Sequence, residues 1–159
     1  MSAESYPLFW PEGWPRTPDA KRRSNAQFRT TFTKARGELF AELDRMGATH
    51  AVVSSWLPLR NDGLPRADSA RMRINDPGVA VYFQWRNRPM VIARDVYTNV
   101  HDNLRSIGLA VAHMRGLERH GGGHMMERAF SGFAAIDAPG RRSCWATLGI
   151  KAGSSRDEI

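Results

Sequence analysis

Apolar residues recur at three- and four-residue spacings through Phe28, Phe32, Ala35, Leu39, Phe40, Leu43 and Met46, and the pattern stops at Gly47. That period puts them on one side of an α-helix, with Ser24 placed to cap its start and Gly47 where a left-handed stop belongs. A helix with a single apolar stripe must bury it. Directly after Gly47 the pattern changes to Thr49-His50-Ala51-Val52-Val53-Ser54-Ser55-Trp56-Leu57, closed by Pro58, which predicts a strand at about 50–56. A long helix feeding at once into a strand restricts the chain to mixed α and β architectures.

The rest of the chain extends this alternation. Residues 58–77 hold Pro58, Asn61-Asp62-Gly63, Pro65 and Asp76-Pro77-Gly78 with little periodicity, so they read as a long loop. Two β-rich runs, Val79 to Trp85 and Pro89 to Ala93, lie close enough together to be a hairpin. Within the first, Val79, Val81, Phe83 and Trp85 share one face while Ala80, Tyr82 and Gln84 share the other, and one of the two must be core. A second long helix is expected from Asn99 to Arg119, with Val100, Leu104, Ile107, Val111, Met114 and Leu117 as its stripe, ended by Gly121-Gly122-Gly123. A short helical piece from His124 to Phe133 follows.

Ahead of all this, Tyr6-Pro7-Leu8-Phe9-Trp10-Pro11-Glu12-Gly13-Trp14-Pro15 has too much proline for helix or central strand, and reads as an extended arm. Its tryptophans, Trp10 and Trp14, either anchor the arm to the domain or present it to a partner. The organisation expected is therefore an aromatic arm over 1–22, an α+β core over 23–136, a linker over 137–143 and a separate fragment over 144–159. The fold class is α+β: two long helices packed on a small, mainly antiparallel sheet.

Of the 23 basic residues 20 are arginine, and against 16 acidic residues they leave a net charge of +7. A GC-rich gene produces such a bias, and so does recognition of nucleic acid or an acidic protein, because the arginine fork suits phosphate and carboxylate. Between Leu59 and Arg94 seven arginines face three aspartates. There Arg60, Arg66, Arg71, Arg73, Arg86 and Arg88 are interleaved with Trp56, Tyr82 and Trp85, a combination suited to phosphate contacts and base stacking. These arginines with Trp85 form the candidate site for a nucleic acid or other partner.

Catalytic chemistry finds little footing. His120 and His124 with Glu118 are joined by three glycines, which lack the rigid spacing of helical zinc ligands, and Asp62, Asp68, Asp76 and Asp95 carry no nuclease signature. The single cysteine, Cys144, has no neighbour in sequence to lower its pKa and reads as a structural thiol. No nucleophile elbow, phosphate-binding glycine loop or dinucleotide fingerprint is present. No catalytic residue, metal or cofactor is assigned, and no apolar run reaches the ~18 residues of a membrane span, so a cytoplasmic, non-membrane protein is expected.

The tail, Cys144-Trp145-Ala146-Thr147-Leu148-Gly149-Ile150-Lys151-Ala152-Gly153-Ser154-Ser155-Arg156-Asp157-Glu158-Ile159, resembles the opening of a J domain, through an aromatic residue, Leu-Gly-Ile, a polar turn and Glu-Ile. Ser155-Arg156-Asp157-Glu158 is also a capping-box pattern. The His-Pro-Asp triplet on which J-domain activity depends is absent, so stimulation of a chaperone ATPase is not expected. Tyr6 to Pro11, Pro58 to Pro65, Asp76 to Phe83 and Asp102 to Arg105 in turn resemble the N-terminal region of bacterial and phage proteins that end in a J domain. The resemblance implies architecture and no mechanism. It favours a non-catalytic adaptor that recognises a protein partner, phage-encoded in origin, with accessory nucleic-acid binding by residues 59–94 as the alternative.

Overall fold

The computed structural model describes residues 3–25, 27–58, 60, 65, 66, 69 and 74–131. The linker expected at 137–143, the fragment at 144–159, the end of the core at 132–136, and Arg71 and Arg73 lie outside the described residues. Four strands and three α-helices make up the rest: β1 (Ala3–Ser5), α1 (Phe32–Met46), β2 (Thr49–Ser55), β3 (Val79–Trp85), β4 (Arg88–Arg94), α2 (Val100–Arg119) and α3 (Gly123–Ser131), with a short 3-10 turn at Asp19–Lys21. The sheet order follows the chain, β1-β2-β3-β4. It is antiparallel from β2 to β4, and β1 joins its edge parallel to β2. The chain is therefore α+β, with a parallel edge strand that its own three residues do not announce.

Helix α1 begins seven residues later than a cap at Ser24 requires. Thr31 is the cap, its Oγ1 accepting a hydrogen bond from the Lys34 amide at 3.3 Å. The reason lies upstream, where Arg23 pairs with Tyr97 beyond the sheet, Phe28 packs edge-on against the Tyr97 ring, and Arg29 turns the backbone with a φ of 37°. Phe28 thus packs on Tyr97 from a loop, outside the helix. At the other end Gly47 takes a φ of 76° and closes the helix as expected, since a side chain there would crowd the preceding carbonyl.

The alternating pattern of β3 resolves into two cores. Val79, Val81, Phe83 and Trp85, with Met90 and Ile92 of β4, meet Leu39, Leu43, Leu104, Ile107 and Val111 of the helices. On the opposite face Ala80, Val91 and Ala93 lie under Leu8, Trp10, Trp14 and Tyr82. The sheet is covered on both sides, by two helices on one and by the aromatic arm on the other. Gly78 marks where the arm crosses, because a Cβ there would meet Arg16 at 2.9 Å and Leu8 at 3.1 Å.

Strands β3 and β4 turn through Arg86 and Asn87, both left-handed at φ 51° and 60°, the pattern of a type I′ turn. Glycine is the residue that this second position favours. Asn87→Gly is expected to raise stability by about 0.5 kcal/mol and Asn87→Val to lower it by about 1–2 kcal/mol, read as shifts of the urea midpoint at unchanged slope.

Candidate functional site

The described arginines of the segment do not converge on one place. Residues Trp85 and Arg88 face each other at the hairpin tip, and Thr49, at the start of β2, faces Gln84 beside it. Strand β2 then runs seven residues away from the tip, roughly 20 Å at strand spacing, before the loop bearing Arg60 and Arg66 begins. The Arg66 amide donates to the Pro58 carbonyl at 3.0 Å, which keeps Arg66 at the far end. So Arg60 and Arg66 stand at one pole of the sheet and Arg86 and Arg88 at the other. They are near in sequence, but one full traverse of β3 lies between them.

Trp85 also leaves the candidate set. It is 5% exposed, belongs to the core between sheet and helices, and donates through Nε1 to the Met46 carbonyl at 3.2 Å. Alternation explains this outcome: Trp85 shares the parity of Val79, Val81 and Phe83, and that face is the one both helices cover. A base cannot stack on it from outside. The Arg86 guanidinium lies 4.4 Å over the ring instead.

Trp10 and Trp14 are half-buried and anchor the arm on the sheet, with Trp10 Nε1 donating to the Trp14 carbonyl at 3.1 Å. The aromatic residues that meet solvent are Tyr6 at 49%, Phe9 at 46% and Trp56 at 37% exposure. Tyr6 and Trp56 meet edge to face at 5.6 Å, and Phe9 lies 6.0 Å from Tyr82. Backbone and side-chain hydrogen bonds hold Phe9 in place. The Phe9 amide donates to Ser54 Oγ at 2.8 Å, and the Tyr82 hydroxyl donates to the Phe9 carbonyl at 2.9 Å. Burial pushes the Tyr82 pKa up, so its hydroxyl stays protonated as a donor throughout the physiological range. Period two along the arm could have found Phe9, since Leu8 and Trp10 turn inward and leave the residue between them outward.

The arm is pinned at its far end by charge. Asp95 is 3% exposed and sits between Arg16 Nε at 3.3 Å and Arg22 Nη2 at 3.5 Å, while its Oδ2 accepts from the Thr17 amide at 3.0 Å. Arg16 also pairs with Asp76 and covers the Trp10 ring at 4.2 Å. Asp76 and Asp95, weighed above as metal ligands, are thus engaged by arginines, and among the described residues no three metal-binding side chains come together.

Between the helices, a cleft of about 300 Å³ opens over Ala41, Gly108 and Leu109. Its carboxylates are paired: Glu38 with Arg105, and Glu42 with Arg115 Nε at 2.8 Å and with Arg45. The hydrogen bond from Arg115, reinforced by the charges of Arg115 and Arg45, holds the Glu42 carboxyl below its usual pKa. A depressed carboxylate pKa stabilises the fold at neutral pH, and that contribution fades as pH falls through the lowered value. Residues Glu38 and Glu42, which the periodicity of α1 leaves on a solvated face, instead tie α1 to α2.

No family model, curated protein or solved structure matches this chain significantly. No helix among the described residues is long and apolar enough to cross a membrane.

Proposed function

We propose that this chain is a non-catalytic interaction module that recognises a protein partner through Tyr6, Phe9 and Trp56. The observation that carries this reading is the exposure of three large rings at one edge of the sheet: Tyr6 and Phe9 on an arm whose other apolar side chains are packed against the sheet, and Trp56, just after β2, in edge-to-face contact with Tyr6. Rings held rigidly lose little entropy when a partner covers them, and tyrosine and tryptophan dominate the energetic centres of protein interfaces. Arg60 and Arg66, both exposed on the loop just beyond Trp56, suit a partner with acidic residues around its apolar contact. The likeness of residues 144–159 to the start of a J domain favours an adaptor, in which this domain holds a client for a chaperone.

The test is a triple variant, Tyr6→Ser with Phe9→Ser and Trp56→Ser, used beside wild type as bait in nuclease-treated extract of the native host. The variant is expected to lose the wild type's specific protein partner, while its melting temperature falls by only a few degrees, as losses of about 1 kcal/mol do in a domain of this size. Retention of the same partner by a folded variant would refute the reading.

A further inference from the structure

The pole of the sheet opposite Arg60 and Arg66 carries a second surface. Three elements end there together. The Met46 carbonyl, at the close of α1, accepts from Trp85 beneath the hairpin tip. Arg86 at the tip reaches Glu118 in the last turn of α2 at 3.4 Å. His50 of β2 lies next to Thr49, which pairs with Gln84. The two helices thus run the same way and stop under the turn.

Two features mark this pole. The first is backbone conformation: His50, Arg86 and Asn87, at φ 53°, 51° and 60°, are three of the four non-glycine residues with positive φ among the described residues. The type I′ turn accounts for Arg86 and Asn87 and the irregularity between Thr49 and Val52 for His50, and together they set the direction in which the tip holds its side chains. Arg86 is so presented, its guanidinium supported by the Trp85 ring and Glu118. The second is charge. Arg45, Arg86, Arg88 and Arg119 are all exposed here, against Asp44 and Glu118. Arg45 is taken up by Glu42 and Arg86 by Glu118, whereas Arg88 and Arg119 make no ion pair among the described residues. Cations in a last turn offset the carbonyl end of a helix, a role that accounts for Arg45 and Arg119 but not for the two arginines of the hairpin.

We infer that the hairpin tip and the two helix ends beneath it form a binding surface for the phosphate backbone of a nucleic acid, contacted by Arg86, Arg88 and Arg119. The surface is separate from the aromatic cluster, about one strand length away, and needs no stacking ring. It therefore reads phosphates and not bases, so binding is insensitive to sequence and strongly dependent on salt.

Fluorescence anisotropy with labelled single-stranded DNA, duplex DNA and RNA of mixed sequence tests this over a series of salt concentrations. Arg88→Gln/Arg119→Gln is expected to flatten the slope of log K against log salt by about 1.4–1.8 units, for two lost phosphate contacts. Arg94→Gln, a control at the opposite end of β4, is expected to leave the slope within error, and the aromatic triple variant is expected to bind nucleic acid as wild type does. Failure of the protein-partner reading and failure of this one are therefore told apart. The inference is overturned if wild type binds none of the three probes at low salt. It is equally overturned if the double variant keeps the wild-type slope, or if Arg94→Gln reduces the slope as much as the double variant, which would mean attraction to net charge alone. Capture of an acidic protein at the hairpin tip in place of nucleic acid would likewise overturn it.

Discussion

Asn103→Ala is expected to lower the free energy of unfolding by about 2–4 kcal/mol, the loss of one buried and two partly buried hydrogen bonds whose partners are left unpaired. Asn103 is fully buried in the first turns of α2. Its Nδ2 donates to the carbonyls of Pro77 at 2.8 Å and Tyr97 at 2.9 Å, and its Oδ1 accepts from the Tyr97 amide at 2.9 Å. One side chain thereby ties together the entry to β3, the turn after β4 and the helix that follows. Alanine leaves two carbonyls and an amide without this partner, and a group kept from water costs more than the bond itself contributed. Urea denaturation checks this. A loss below about 1 kcal/mol would mean that backbone or water replaces the amide, and would remove Asn103 from the supports of the fold.

Leu39→Ala is expected to cost about 3–5 kcal/mol, in the range of large-to-small changes at fully buried leucines. Leu39 has no exposed surface and lies where α1 crosses α2, its backbone within 3.6 Å of where a Cβ on Gly108 would stand. That close crossing gives neighbouring side chains little freedom to collapse into the space, so most of the cavity remains. Phe32, on the same stripe but at the first turn and only partly buried, is expected to cost less when replaced by alanine. Equal losses at the two positions, measured by thermal and urea unfolding, would contradict the gradient of burial along α1.

The helices, the strand after Gly47 and the hairpin were legible because their periods are long and their stops are stereochemical. Leu39, Leu43, Leu104, Ile107 and Val111 repeat with the helical period and all become core. What could not be read is what depends on tertiary pairing. Strand β1 has three residues and exists because the edge of β2 is there to receive it. Phe28 fits the helical stripe but is drawn off by the ring of Tyr97. Asp102, Asn103 and Ser106 look like the wet side of α2, yet they are buried, Asn103 under the segments before β3 and after β4 that meet at that end of the sheet. The candidate site was least legible of all. Residues between 59 and 94 are dense in arginine and aromatic side chains, but the length of β3 holds Arg60 and Arg66 at one pole and Arg86 and Arg88 at the other, and strand parity turns Trp85 inward.

Site-specific photo-crosslinking tests most directly whether the aromatic cluster is where a protein partner binds. A photo-reactive phenylalanine analogue is placed at Phe9 or at Trp56, and as a control at His113, exposed on α2 in the helix layer across the sheet from the arm, and each protein is irradiated in nuclease-treated host extract. Positions 9 and 56 are expected to give an adduct with the same protein and position 113 none. No adduct from either aromatic position, or an equal yield of the same adduct from position 113, would contradict the protein-partner reading.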